Sequence, residues 1–161
     1  MIIVKTERKL INLKIINFDM DGTLADLYGV ENWLNDLNNS NPRPYIEAKP
    51  LLNMSALARI LNKLKRAGYT INIISWLSKN PTPDYDIAVT SAKRQWLAKH
   101  LKSVKFDNIY ILPYGTPKQA ISSGILFDDE KPNRKNWESR QTSNNVAYDV
   151  DKILDILKGL T

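Results

Sequence analysis

An apolar run that ends in two acids constrains the fold of this chain more than any other feature. Residues 15–18 read Ile-Ile-Asn-Phe, and Asp19-Met20-Asp21-Gly22-Thr23-Leu24 follows directly. An apolar run bounded in this way is typical of a strand that is covered on both faces, as in a parallel sheet, and we predict a strand over residues 13–18. Ligands of parallel sheets bind beyond the carboxyl ends of the strands. The two acids are therefore expected at the functional edge of a sheet.

The spacing of Asp19 and Asp21 indicates a metal site. Two carboxylates this close repel each other and raise each other's pKa unless a cation neutralises them. Hard divalent cations such as Mg²⁺ take oxygen ligands of this kind. We therefore predict that the pair supplies half of a metal site; the alternative is an acidic turn that only caps an element.

The length and composition of the chain exclude several classes of protein. Its 161 residues are enough for one domain with a real core, and we expect a single domain over residues 1–161. The chain has no cysteine, which excludes disulfides, thiolate metal sites and a cysteine nucleophile. No apolar run reaches transmembrane length, so we expect a cytoplasmic protein with no membrane partner.

The positive charge of the chain has two interpretations. A formal net charge of +6 could steer nucleotides or nucleic acid toward the protein. The lysines are scattered along the chain rather than grouped, which favours solubility as the main consequence. The charge alone therefore does not identify a partner.

Predicted strands and helices alternate along the chain. The strands are expected at residues 13–18, 69–74, 108–112, 124–127 and 146–148, and Met1–Val4 forms either an edge strand or a loose arm. The helices are expected at residues 30–37, 55–68, 86–101, 132–138 and 149–158. This alternation predicts an α/β fold with a mainly parallel sheet. The asparagine- and proline-rich stretch 38–45 is expected to break the first helix, whose Trp33 is predicted to pack in the core.

Polar residues follow the other predicted strands. Ser75, Lys118, Asp128 and Asp129 each come at or after a predicted strand end. Taken singly, each has a plain interpretation: a serine in a turn, an exposed lysine, or an acidic pair that caps the next helix.

The run Asp19-Met20-Asp21-Gly22-Thr23-Leu24 resembles the DxDGT[LV] signature of the haloacid dehalogenase (HAD) superfamily of phosphohydrolases. The polar residues at the later strand ends resemble the other three motifs of that superfamily, in the same order. The resemblance implies a three-layer Rossmann-like fold with a very small cap inserted at about residues 27–52.

The resemblance also implies a role for each motif residue. Asp19 would be the nucleophile that forms an aspartyl-phosphate, and Asp21 the acid/base that protonates the leaving group and then activates water. Ser75 and Lys118 would bind the phosphate. Mg²⁺ would be held by Asp19, the backbone carbonyl of Asp21 and Asp128, while Asp129 would orient a ligand water or bind the ion directly.

Two further segments resemble the 5'(3')-deoxyribonucleotidase branch: residues 126–134 and 93–101. Their presence favours a Mg²⁺-dependent phosphomonoesterase that acts on a small phosphorylated substrate, a (deoxy)nucleoside monophosphate, with nucleic acid as a less favoured partner. Ser75-Trp76 departs from the threonine-serine type of pair expected there. A nucleic-acid 3'-phosphatase and a non-catalytic HAD-like binding module are the alternatives. Four aromatic residues could stack on a base or serve in packing: Tyr28, Trp33, Tyr45 and Trp76.

Overall fold

The computed structural model describes residues 14–139 and 144–161. Five strands form one sheet: β1 (Ile15–Phe18), β4 (Thr70–Trp76), β5 (Asn108–Leu112), β6 (Ile125–Phe127) and β7 (Val146–Tyr148). Their order is β5-β4-β1-β6-β7, and every neighbouring pair is parallel. The predicted α/β fold with a mainly parallel sheet is thus confirmed. The predicted arm Met1–Val4 and residue 13 lie outside the described residues.

Six α-helices accompany the sheet in the described ranges: α1 (Trp33–Asn38), α2 (Arg43–Glu47), α3 (Met54–Arg66), α4 (Pro83–His100), α5 (Lys131–Glu138) and α6 (Ile153–Leu160). The main core packs α3, α4 and α6 on one sheet face, where Phe18 and Phe127 stack with ring centroids 5.2 Å apart. On the other face, Trp137 of α5 packs against Ile74 and Leu126. None of the helices described is long and apolar enough to cross a membrane.

A ladder of asparagine side chains crosses the centre of the sheet. Asn72 donates to Asn17 at 3.1 Å, and Asn108 donates to Asn72 at 3.0 Å. Asn17 in turn donates to the carbonyl oxygens of Ser123 and Ile125. A one-residue slip of any strand would bury these amides without partners, so the ladder favours a single register.

Two helices differ from their predicted extents because proline occupies their first turns. Helix α4 begins at Pro83 rather than near residue 86, and the hydroxyl of Thr82 accepts a hydrogen bond from the Tyr85 amide at 3.2 Å. Helix α2 lies in the stretch predicted only as a breaker, with a proline in its own first turn. Proline lacks an N–H that the first turn of a helix would leave unpaired anyway, so here it starts a helix.

Residues 27–52, called the insertion below, leave the core and return to it at a two-stranded ribbon. Strand β2 (Ala25–Asp26) pairs antiparallel with β3 (Lys49–Pro50). Within the insertion, Arg43 of α2 donates to the carboxylate of Asp36 at 2.8 Å and to that of Glu47 at 2.6 Å. The bond to Asp36 joins α2 to α1, and the bond to Glu47 lies within α2.

Candidate active site

The carboxyl ends of β1 and β6 bring three carboxylates together. Asp19 follows β1, and Asp128 and Asp129 follow β6; one oxygen from each lies within 4.8 Å of the others. The backbone is fixed at this point, because the Asp19 amide donates to the carbonyl oxygen of Phe127 at 2.9 Å. The parallel register therefore brings Asp19, Asp128 and Asp129 together from two strand ends, while Asp21, the third acid predicted to hold the metal, is not in this cluster.

Lys118 lies between two members of this acidic cluster. Its ammonium donates to Asp19 Oδ1 at 3.0 Å and to Asp128 Oδ2 at 2.8 Å, and only 3% of the residue is exposed. Burial lowers the pKa of Lys118, but the two carboxylates outweigh burial and raise the pKa above its usual value. The lysine therefore stays charged and partly offsets the repulsion between the two acids.

A tight turn brings Asp129 against the start of the Asp19 loop. The Thr23 hydroxyl lies 3.0 Å from Asp19 Oδ2 and 3.2 Å from Asp129 Oδ1, so it can donate to either. Gly22 has φ +80°, and a Cβ there would stand 2.4 Å from an Asp129 oxygen. Only glycine fits both that backbone conformation and that contact.

The donor set fits a hard divalent cation. Burial, followed by the charge of Asp19, raises the pKa of both Asp128 and Asp129 above the ordinary range for aspartate. The pKa values are raised because one lysine, Lys118, does not fully neutralise the negative charge of the cluster. Three carboxylates at this spacing offer the oxygen ligands that Mg²⁺ prefers.

Asp21 turns away from the acidic cluster toward a lysine that sequence reasoning missed. Lys93 of α4 donates to Asp21 Oδ2 at 2.8 Å and is only 1% exposed. Burial raises the pKa of Asp21 and outweighs Lys93, whose charge and hydrogen bond lower it. A signal was available in the sequence: Lys93 shares the buried stripe of α4 with Val89 and Trp96, at helical spacing.

Ser75 is buried and is absent from the lining of the cavity described below. It has no exposed surface, and its hydroxyl accepts a hydrogen bond from Lys93 at 2.6 Å. A direct contact between the Ser75 hydroxyl and phosphate stays a prediction. Ser78, three residues later, does line the cavity, although no motif or spacing singled it out.

A cavity of about 270 Å³ opens above Asp19 and Asp21. Five aromatic side chains contribute to its walls: Tyr28, Trp33, Tyr45, Trp76 and Tyr114. Two edge-to-face pairs are formed, one by Tyr28 and Trp33 with centroids 4.9 Å apart, the other by Trp76 and Tyr114 at 5.0 Å. The four aromatics singled out in the sequence thus converge on one cavity, and Tyr114 was missed.

The prediction that Trp33 packs in the core is wrong. Helix α1 has no buried residue, and Trp33 is only half-buried at the cavity wall. Helical spacing identifies which residues share a face, but not what covers that face. Here the apolar face of α1 borders the cavity.

Comparison with known proteins gives matches in structure but not in sequence: no protein-family model and no curated protein matches the chain. Two of the similar solved structures are D,D-heptose 1,7-bisphosphate phosphatases. The B. bronchiseptica protein, complexed with magnesium and phosphate, has a TM-score of 0.55 at 12% identity, over 91% of this chain and 99% of that chain. The Burkholderia thailandensis protein has a TM-score of 0.52 at 11% identity, over 91% and 97%. The chain shares the fold of these phosphatases.

Proposed function

We propose that this chain is a Mg²⁺-dependent phosphomonoesterase that acts through an aspartyl-phosphate on Asp19. The observation that carries the proposal is the convergence of Asp19, Asp21 and Lys118 on one cavity, with Asp128 and Asp129 beside them. The shared fold supports it, because the similar structures are those of phosphatases and one of them contains magnesium and phosphate.

The reaction divides between the two acids of the β1 loop. The Asp19 carboxylate attacks phosphorus and the ester P–O bond breaks, while Asp21 gives its proton to the departing oxygen. Water then attacks phosphorus and Asp21 takes up a proton, so that inorganic phosphate leaves and the Asp19 carboxylate is restored. A raised pKa suits Asp21 to this exchange.

The remaining motif residues neutralise charge and hold the ion. Lys118 offsets the negative charge of Asp19 as the dianionic phosphate approaches. Asp19, Asp128 and the backbone carbonyl of Asp21 would hold Mg²⁺, and the position of Asp129 in the carboxylate cluster suits it to direct ligation. When bound, the ion supplies positive charge to the phosphoryl oxygens.

The walls of the cavity favour a nucleoside monophosphate as substrate. Aromatic rings stack on nucleobases, and two edge-to-face pairs line this cavity. Polar side chains that could bind the hydroxyls of a ribose also line the cavity outside the acidic centre: Asn38, Ser78, Lys79, Asn80, Glu130 and Asn133. We also propose that the insertion acts as a reduced cap on a single domain, since it supplies Tyr28, Trp33 and Tyr45 to the cavity.

A substrate screen tests both levels of the proposal. The purified protein is assayed for phosphate release from nucleoside 5'- and 3'-monophosphates, sugar phosphates and 3'-phosphorylated oligonucleotides, with Mg²⁺ and with EDTA, and Asp19→Asn serves as the blank. We expect Mg²⁺-dependent release with the highest kcat/KM for nucleoside monophosphates. Preference for sugar phosphates or oligonucleotides would refute the nucleotide assignment alone. Full activity in EDTA would refute the dependence on Mg²⁺, and no release from any ester would refute the phosphatase activity itself.

A further inference from the structure

Lys93 is a buried lysine whose three ammonium hydrogens all have hydrogen-bond acceptors. Its ammonium donates to Asp21 Oδ2 at 2.8 Å, to the Ser75 hydroxyl at 2.6 Å and to the backbone carbonyl of Trp76 at 2.7 Å. A lysine ammonium has three donors and no acceptor. Lys93 therefore has no hydrogen left for a ligand, and it acts through these three neighbours.

Each of those neighbours belongs to the site or borders it. Asp21 lines the cavity, and Trp76 forms part of the aromatic wall. Because the Ser75 oxygen accepts from Lys93, the hydroxyl hydrogen is directed elsewhere. One ammonium thus fixes the Asp21 side chain together with the end of β4.

The insertion covers Lys93 on its open side. The Tyr45 ring lies over the ammonium at 5.1 Å from its centroid, within range of a cation–π contact. Tyr45 is only 5% exposed and packs in a small cluster with Tyr85 and Val89 of α4. The contact excludes water from Lys93, and it joins the insertion to Asp21 through one side chain.

Stability of the fold alone does not account for this arrangement. A buried ion pair is weak support for stability, since an apolar side chain of similar volume often serves as well. Asp21 is 18% exposed at its side chain, so the carboxylate could be hydrated without the lysine. Water alone would not hold the Asp21 carboxylate in one orientation, whereas the hydrogen bond from Lys93 does.

We propose that Lys93 is a positioning residue that orients the Asp21 carboxyl for proton transfer, with Tyr45 of the insertion holding the ammonium in place. The inference rests on the proposed function, because it assigns a partner to the proposed acid/base. Replacement of Lys93 should therefore slow the reaction as a partial loss of Asp21 would. The fall in rate should be larger for a leaving group that needs more protonation.

The test compares two esters in Lys93→Met, with Lys99→Met as the matched control. Lys99 is an exposed lysine on the same helix, so its variant should behave as wild type. In Lys93→Met we expect the single-turnover rate constant for phosphoryl transfer to Asp19 to fall about 10- to 100-fold for a nucleoside monophosphate and much less for nitrophenyl phosphate. A partial loss of this size lies at or below the lower end of the 10² to 10⁴-fold that general acid–base catalysis typically contributes. The double variant Lys93→Met/Asp21→Asn should lose little more activity than Asp21→Asn alone, since the effects of residues that act as a unit are not additive.

Two results would overturn the assignment: an equal loss on both esters, or a double variant whose loss is the product of the single losses. Tyr45→Leu provides a second route that keeps Lys93, and it should shift the ratio of the two single-turnover rate constants in the same direction by a smaller factor. An unchanged ratio in Tyr45→Leu would exclude the part assigned to the insertion. Failure of the proposed function would appear in the wild-type protein itself, as no Mg²⁺-dependent hydrolysis of either ester, whereas failure of this inference appears only in the variants.

Discussion

The indole N–H of Trp76 donates to the carbonyl oxygen of Thr116 at 2.8 Å. This bond ties the end of β4 to the loop that leads into Lys118, whose ammonium lies 5.3 Å from the centroid of the Trp76 ring. One side chain therefore forms part of the cavity wall and also supports the cation next to Asp19.

We expect Trp76→Phe to lower turnover more than its effect on stability explains. Phenylalanine keeps a ring but loses the donor, which typically costs about 1 kcal/mol of unfolding free energy. The matched control is Trp137→Phe, because the Trp137 indole also donates to a carbonyl oxygen, that of Gly124 at 3.0 Å. Gly124 precedes β6 and therefore lies at the end of that strand away from Asp128. Steady-state kinetics and denaturant unfolding separate the two effects: equal turnover in both variants would contradict a role for Trp76 in supporting Lys118.

Asp19→Asn should abolish turnover while leaving the fold in place. Amide and carboxylate are nearly isosteric, but the amide cannot form the acyl-phosphate, and loss of a catalytic nucleophile typically costs roughly 10⁴-fold or more. The rate is measured by phosphate release, and the fold by circular dichroism. Rapid quench followed by peptide mapping should find phosphate on Asp19 in the wild type; phosphate on Ser75 would reassign the nucleophile.

Asp21→Asn should impair the enzyme according to the leaving group. Loss of general acid–base catalysis typically costs 10² to 10⁴-fold, and a nitrophenyl leaving group needs little protonation. The first half-reaction on nitrophenyl phosphate should therefore be affected least, and phosphoenzyme should accumulate because water is no longer activated. Pre-steady-state burst kinetics measure the rate of the first half-reaction and the amount of phosphoenzyme. If the first half-reaction slowed equally with both esters, the acid/base role would be contradicted.

The carboxylate cluster predicts a dependence of stability on pH that Mg²⁺ should reduce. Burial and the charge of Asp19 raise the pKa of Asp129 to about 8 and that of Asp128 to about 6 in the folded protein, against about 3.9 for an unperturbed aspartate. A raised folded-state pKa stabilises the fold at low pH, and this stabilisation is lost as the pH rises through the folded value. In EDTA, the contribution of these two groups should therefore decline between about pH 4 and pH 8.

The variant Asp129→Asn isolates this effect. Its Tm in EDTA should fall less than that of wild type between pH 5 and pH 8, because the variant has lost the group with the more strongly raised pKa. Mg²⁺ should raise the Tm of wild type more at pH 8 than at pH 5, since a ligand of the folded state stabilises by mass action and prefers ionised carboxylates. Parallel curves of Tm against pH for the two proteins would contradict the linkage.

The aromatic wall should contribute to substrate binding rather than to chemistry. Stacking on a base is worth about 1 to 3 kcal/mol, so Trp33→Leu should raise KM for a nucleoside monophosphate by roughly 5- to 150-fold with little change in kcat. The matched control is Ile46→Ala, an exposed residue of the insertion outside the cavity lining. An unchanged KM in Trp33→Leu would argue against stacking at this wall.

The parts of the fold that follow from local pattern could be predicted from the sequence. The strand before Asp19 and the strands that end at residues 76, 112 and 127 are short apolar runs, and a parallel sheet aligns their ends. That is why residues as distant in sequence as Asp19, Lys118 and Asp128 meet as expected.

The parts that depend on tertiary position could not be read from pattern. Nothing local to Lys93 indicates that Asp21 lies across from its buried stripe, so Lys93 was not predicted as a site residue. Trp33 had the spacing of a core residue and lies on a cavity wall. The partner of Lys93 comes from a distant segment of the chain. The cavity that Trp33 borders also depends on distant residues, Trp76 and Tyr114.

The ribbon of β2 and β3 separates the insertion from the part of the chain that carries the acids. The insertion leaves the rest of the chain and rejoins it at this narrow neck, where Ala25 pairs with Pro50 and Asp26 with Lys49. A longer segment between these strands would cost little, since doubling a loop adds only about 0.6 kcal/mol of closure entropy. On the proposed function, we therefore expect that a new segment grafted at the neck would change the substrate selectivity while the chemistry persists, provided that the segment keeps a side chain to cover Lys93.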